Sequence, residues 1–338
     1  MGKRNTTAQQ QETLAWAKAY QGHRTRLGAG TVPRAAAVAS GDQLRRYFAL
    51  AALSRSTTAP QGLVEAAWNE VFRVRVAIEH SIDRSVCDSL TNGAITLREI
   101  LGGGFFGVSK KQGVSVRMPL LTCRPTRICG AACYAHDVLD AAPAAVVRGV
   151  LNGIIARTYE EGTAETRRGV IDKLQPQTRR VVQEAIKEVA RLSSWTRPAY
   201  VRFSHVGEIV AFPQFANALA AQVRAMSAGR VACVVYSRHP MSRELEPELF
   251  VINFTLDSSS LNRRSLAPPT ARIVFSAFGG EVRDDVDINF VEHHRWTHVE
   301  PVGQGRICPA TMPRVDERTC DAVGCARCFS RPDADSRT

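Results

Sequence analysis

No stretch of this chain reaches the roughly 18 consecutive apolar residues needed to cross a bilayer. The first residues, MGKRNTTAQQQETLAWAK, also lack the apolar core of a secretory signal. Both absences point to a cytoplasmic protein with no membrane partner, in a compartment where thiols stay reduced. A phosphate-binding loop is missing too. LREILGGGFFGVSK holds Gly102, Gly103 and Gly104 in a row, but there is no GK[ST] and no GxGxxG between a strand and a helix. A turn is expected there instead. Acids are in deficit, 32 against 44 Lys and Arg, and the deficit is uneven. Residues 1–58 carry nine Lys and Arg but only two Asp and Glu. That basic, aromatic-poor region makes DNA or RNA a candidate partner. Its bases follow no helical or strand period, so a solvated arm is the other reading.

What the chain does have is cysteine, nine in all. In a reducing compartment metal explains them better than disulfides. Cys123, Cys129 and Cys133 lie in LTCRPTRICGAACYAH with spacings Cx5C and Cx3C. Cys308, Cys320, Cys325 and Cys328 follow as Cx11C, Cx4C and Cx2C. The closing CDAVGCARC has the form of a knuckle, in which Gly324 permits a tight turn and two thiolates grip one metal. Three thiols alone make either an incomplete tetrahedral zinc site or a cradle for an iron–sulfur cluster with one iron open. Seven thiols admit two separate centres or one centre shared between the groups. Cys233, inside apolar VACVVY, reads as a small buried hydrophobe. His136, His293, His294 and His298 are weaker ligand candidates. Asp284, Asp285, Asp287 and Glu292 offer the acids of a metal-dependent hydrolase, although a run such as RDDVD usually forms an exposed turn.

Hydrophobic spacing predicts helices over 41–57 and 61–81, then 141–159, 176–192 and 212–226. Strands are expected at 115–121, 200–206, 230–237, 249–256 and 271–278, with helix-forming SRELEPE ahead of the fourth. The expected organisation is a flexible basic arm (1–35), a helical region (36–110), an α/β core bearing the first cysteine loop (111–305) and a cysteine-rich metal-binding tail (306–338). Strand–helix alternation implies parallel strands joined by crossovers. The expected fold class is α/β, a partial (β/α) barrel-like parallel sheet with an N-terminal helical region and a cysteine-rich C-terminal extension. Ligands of such sheets sit beyond the carboxyl ends of the strands. Those positions hold the first cysteine loop, His205-Val206-Gly207-Glu208, Tyr236-Ser237-Arg238-His239-Pro240 and Asp257-Ser258-Ser259-Ser260. For Asp257 and Ser258, helix capping is an equally simple use.

TCRPTRICGAACYAHD, then Arg148 and Asn152, VRFSHVGEI, VVYSRHP and CPATMPRVDERTCDAVGCARC together resemble the phage gene product 88 family. These are phage- and plasmid-borne proteins whose function is not established, and the resemblance runs from about Thr122 to Cys328. A looser likeness is to the radical S-adenosylmethionine (SAM) superfamily. There, a loop after the first strand holds a [4Fe–4S] cluster by three cysteines, and a Gly-Gly-Glu motif after the second strand meets the methionine amine. This likeness implies Cys123, Cys129 and Cys133 as cluster ligands, with Cys308, Cys320, Cys325 and Cys328 as auxiliary ligands. It implies Gly207 and Glu208 as cofactor contacts; the strand-end positions add Tyr236, Arg238 and Asp257 as cofactor contacts, and Glu208 with His205 as catalytic groups. The superfamily spacing is Cx3Cx2C, whereas this chain has Cx5Cx3C and one glycine before Glu208. Two expectations therefore stand. One is an iron–sulfur enzyme using SAM, with a nucleic acid as candidate substrate. The other is a zinc-stapled nucleic-acid-binding or replication-accessory protein without a reaction of its own.

Overall fold

The computed structural model describes residues 41–54, 59–109, 113–131, 133, 143–191, 198–278, 280–291, 302–303, 305–308 and 327–329. The chain forms two compact units. One comprises Met1–Gly103, Met118–Thr122 and Gly130–Ile155; the other comprises Gly104–Arg117, Cys123–Cys129 and Ala156–Thr338. The helical unit thus takes in two segments that the sequence places with the α/β core. The expected basic arm lies outside the described residues.

In the first unit, α1 (Gly41–Ser54) packs against α2 (Gln61–Thr91). Ala67, Val71, Val74, Ile78, Ile82 and Val86 recur at three- and four-residue steps and are all buried. Such a stripe carries one helix onto another. The helix α3 (Leu97–Gly102) starts from a capping box. Thr96 Oγ1 accepts the Glu99 N–H at 3.3 Å, and Glu99 Oε2 accepts the Thr96 N–H at 2.8 Å. Within α2 lies a buried ion pair, Arg75 Nη2 to Glu79 Oε1 at 2.8 Å, with both side chains 1% exposed. The other Glu79 oxygen accepts the Leu121 N–H at 3.1 Å. Burial raises the Glu79 pKa in spite of Arg75 and these backbone donors.

In the second unit, β1 (Phe106–Ser109) and β2 (Gly113–Arg117) form an antiparallel hairpin. α4 (Arg127–Ala131) and α5 (Pro143–Glu161) contribute residues to both units, and α6 (Ala164–Arg191) leads into the sheet. The remaining strands are β3 (Ala199–Val206), β4 (Val231–Ser237), β5 (Phe250–Leu256), β6 (Arg272–Ala277) and β7 (Ile288–Val291), with α7 (Pro213–Ser227) between β3 and β4. All seven strands form one sheet in chain order, parallel from β2 to β7. The protein is therefore mixed α/β with a mostly parallel sheet, as the strand–helix alternation implies. No helix among the described residues is long and apolar enough to cross a membrane.

Residues paired across a ladder share a face, so the register defines two surfaces. One carries Val201, Phe203, Cys233 and Phe250, all buried on the side of α6 and α7. Cys233 Sγ reaches Ala220 O of α7 at 3.9 Å, and burial drives its thiol pKa up, which suits an inert core position. The other face carries Tyr200, Val234, Tyr236, Val251 and Asn253, and the segment Arg327–Phe329 lies on it. Phe329 stacks on Tyr200 with ring centroids 4.2 Å apart, and Asn253 Nδ2 donates to Cys328 O at 3.1 Å.

Three local expectations are corrected. The strand expected over 115–121 ends at Arg117, and Leu120–Thr122 is a 3₁₀ turn. The helix expected from Pro176 begins more than three turns earlier, at Ala164, because Thr163 Oγ1 caps it through the Thr166 N–H at 3.2 Å. Pro176 then sits mid-helix, at the cost of one backbone bond. SRELEPE does not continue as an α-helix. Pro240–Glu244 is a single 3₁₀ turn, and Pro247 disfavours helical backbone at Glu246. A 3₁₀ turn, Leu261–Leu266, likewise joins β5 to β6. β1 was not expected, since four residues offer too short a period to read.

Candidate functional site

The carboxyl ends of β3, β4 and β5 bring four expected positions into one network. Arg238, just past β4, donates from Nη1 to Asp257 Oδ2 at 2.6 Å, just past β5. Asp257 is fully buried and Arg238 is 11% exposed. Thr126 sits between this pair and the cysteine loop. Its hydroxyl donates to Asp257 Oδ2 and accepts the Arg238 Nη1–H at 3.3 Å and the Cys129 N–H at 3.0 Å. One donor and two acceptor sites is the full capacity of a hydroxyl. The loop bearing Cys129 is thereby tied to the strand ends.

Asp257 is held from its own loop as well. Oδ1 accepts the Ser259 N–H at 2.9 Å, the Ser259 hydroxyl at 2.8 Å and the Ser260 hydroxyl at 3.1 Å. Burial pushes this carboxyl up. Hydrogen bonds from Thr126, Ser259 and Ser260, with the Arg238 cation, outweigh it and hold Asp257 below the usual carboxylate range. Burial pulls Arg238 down, and negative charge at Cys129, Asp257 and Glu208 more than reverses this. A guanidinium ringed by a thiol and two carboxyls favours the anionic form of each.

Gly207, at φ 69°, turns the chain after β3 and sets up the extended Glu208. Only glycine takes that conformation without strain. Burial raises the Glu208 pKa to about 7, opposed by hydrogen bonds from the Ser237 hydroxyl and the Arg238 N–H and by the Arg238 charge. A carboxyl that titrates near neutrality can donate or accept a proton. β3 and β4 part at this point. Ser204 Oγ fills the gap by donating to Tyr236 O at 2.8 Å and accepting the Tyr236 N–H at 2.9 Å.

The structure places the other expected residues elsewhere. His205 Nδ1 lies 3.1 Å from Ser115 Oγ. Burial, with the charges of Arg117 and Arg202, lowers its pKa to about 4, so the ring is neutral at physiological pH. The Tyr236 ring lies on the tail-covered face, with the Arg202 guanidinium 4.7 Å from its centroid and Phe290 tilted against it at 6.1 Å. Cys123, Cys129 and Cys133 are half-buried, whereas Cys308 and Cys328 are buried and share a cluster with Ile288. Cys320 and Cys325 lie outside the described residues, as do His136, Glu292, His293, His294 and His298. Among the described residues, no three His, Cys, Asp or Glu side chains converge on a position for one metal ion. Two of the three acids of RDDVD hold structural partners. Asp285 pairs with Arg264 at 2.8 Å and Arg283 at 2.7 Å, and Asp287 Oδ2 accepts the Ile273 N–H at 2.6 Å.

Thr126 and Ser115 are additions that the strand-end rule does not name. Thr126 has a legible signal, because a threonine three residues before Cys129 has the spacing of a helix N-cap. The serines after Asp257 have the signature of an Asx turn. Ser115 has none, since its partner His205 lies on another strand.

Compared with known proteins, the chain matches no family model, no curated protein and no solved structure.

Proposed function

We propose that this is a thiolate-metal protein whose first cysteine loop, Cys123, Cys129 and Cys133, holds an iron–sulfur cluster above the carboxyl ends of the strands. The observation that carries the proposal is the Thr126–Asp257–Arg238 network, which fastens Cys129 to the strand ends and sets a cation beside its sulfur. That setting fits a thiolate ligand, because a neighbouring guanidinium offsets the charge of the ionised thiol. The resemblance to the phage gene product 88 family belongs to the same proposal, as does the looser likeness to radical SAM enzymes. The consecutive parallel strand order supports a partial (β/α) barrel, since nothing between β2 and β7 reverses the winding. Cys308, Cys320, Cys325 and Cys328 supply a second set of thiols, of which Cys308 and Cys328 lie together on the sheet.

When bound, a cluster with an open iron supplies one-electron reduction of SAM. The chain's own groups do the rest. Arg238 and Asp257 hold one another rigid. Glu208 offers a carboxyl near its titration point for the methionine amine, in a charge-assisted bond. His205 stays neutral, as burial and the charges of Arg117 and Arg202 disfavour its protonated form. A nucleic acid is the proposed substrate, approached through the basic residues 1–58.

The test is anaerobic purification with quantification of iron, sulfide and zinc, followed by incubation with dithionite and SAM. Stoichiometric iron and sulfide with formation of 5′-deoxyadenosine is the expected result. A colourless protein holding only zinc would overturn the cluster and leave the zinc-stapled accessory protein. Iron without 5′-deoxyadenosine would remove the enzyme and keep the cluster.

A further inference from the structure

Arg148 on α5 is a cation with little to compensate it. Its Nη1 donates to Ile100 O, near the carboxyl end of α3, at 3.3 Å. Among the described residues the guanidinium has no other acceptor and no carboxylate partner. The contrast within the same unit is Arg75, which is buried but paired to Glu79 at 2.8 Å. Burial alone acts on Arg148 and pulls its pKa down to about 10. Among the described residues nothing anionic opposes that shift. A half-buried cation without a counter-charge carries part of the desolvation cost that an anion would offset.

The guanidinium lies against the middle glycine of the Gly102-Gly103-Gly104 run. A Cβ at residue 103 would overlap Arg148 Nη2 and lie 2.9 Å from Cζ and 3.2 Å from Nη1. The guanidinium is therefore seated on the bare backbone of Gly103. The Ile100 carbonyl already accepts the Gly103 N–H at 3.2 Å as well as Arg148 Nη1, so both of its lone pairs are used. The remaining guanidinium donors are left over. They form a planar fork, the geometry that takes two oxygens of one oxyanion. Arg148 is partly exposed rather than sealed in, so an ion can reach it.

We propose that Arg148, seated on Gly103, anchors an oxyanion site for a phosphate group. No P-loop is involved: one fixed guanidinium supplies the charge, and a glycine supplies the space that positions it. The phosphate comes either from a small phosphorylated molecule or from a nucleic-acid backbone, and the chemistry of the contact is the same.

The experiment uses the full chain and inorganic phosphate. Binding is read by phosphorus NMR titration and by the shift in thermal midpoint against chloride at matched ionic strength. The wild type is expected to bind phosphate and to show a phosphate-specific rise in midpoint. Arg148→Met is expected to weaken phosphate binding by about tenfold or more, and Arg148→Lys, which keeps the charge but loses the fork, by less. Gly103→Ala keeps the cation but displaces it, so loss of binding there ties the site to the seat and not to net charge. If Arg148→Met does not fold, Arg148→Lys and Gly103→Ala still decide the matter. Competition by a short oligonucleotide assigns the phosphate to nucleic acid, and competition only by a nucleoside monophosphate assigns it to a small molecule. The proposal is overturned if the wild type shows no phosphate-specific shift, or if the variants bind phosphate as well as the wild type does.

Discussion

Changing Asp257 to Asn probes the strand-end network most directly. The substitution keeps the shape and an acceptor oxygen for the Ser259 N–H, but it removes the charge facing Arg238 at 2.6 Å. Two charges about 4 Å apart at an effective dielectric of about 20 attract by about 4 kcal/mol. Stripping one partner from a buried pair costs about 3–5 kcal/mol, because the survivor keeps its desolvation penalty. Asp257 is fully buried and Arg238 nearly so, which places Asp257→Asn at about 3 kcal/mol or more. Urea unfolding followed by circular dichroism gives the number, provided the slope with denaturant is unchanged. The double variant with Arg238→Met should cost less than the two single changes added together, by about 1–3 kcal/mol. A single-variant cost below about 1 kcal/mol, or strict additivity in the double variant, would refute a coupled buried pair.

Three other outcomes are expected. Glu208 keeps its proton in the fold up to a pKa of about 7, whereas in the unfolded chain it loses it near about 4.3, so the stability it contributes at low pH is lost as pH rises across that window. His205 and His239, lowered to about 4, act in the opposite sense and lose stability as pH falls below about 6.5. Glu208→Gln should therefore be more stable relative to wild type at pH 7 than at pH 5, and an unchanged difference in unfolding free energy between the two would contradict the buried carboxyl. Phe329→Ala removes the ring stacked on Tyr200 and should cost about 2–4 kcal/mol, with faster amide exchange at Cys308, whose N–H is held by Asn289 O at 2.8 Å; slow exchange as in wild type would show that the tail segment is held by other contacts. Deleting residues 1–40, which leaves α1 in place, should flatten the salt dependence of any DNA or RNA affinity, and an equal slope would remove the basic region from that contact.

The sequence by itself determined the class of the protein and most of its elements. Apolar residues at three- and four-residue steps in α2, and short β-branched runs such as VACVVY, commit the backbone locally, whatever packs against them. The rule that α/β sheets present their working groups at strand ends then located Glu208, Arg238 and Asp257 before any coordinates. It also chose Tyr236 and His205, and there it ran out. One residue of register decides which face of a sheet a side chain occupies. At the parting of β3 and β4, the ring of Tyr236 goes to the tail-covered face and the guanidinium of Arg238 to the strand ends. Such pairings across strands are set by register and curvature, which leave no periodic trace in one segment. The same holds for Thr126 with Asp257, and for Arg148 on Gly103. In both, the partners are far apart in sequence, and only the folded chain brings a donor to its acceptor or a cation onto a backbone position with no side chain in its way.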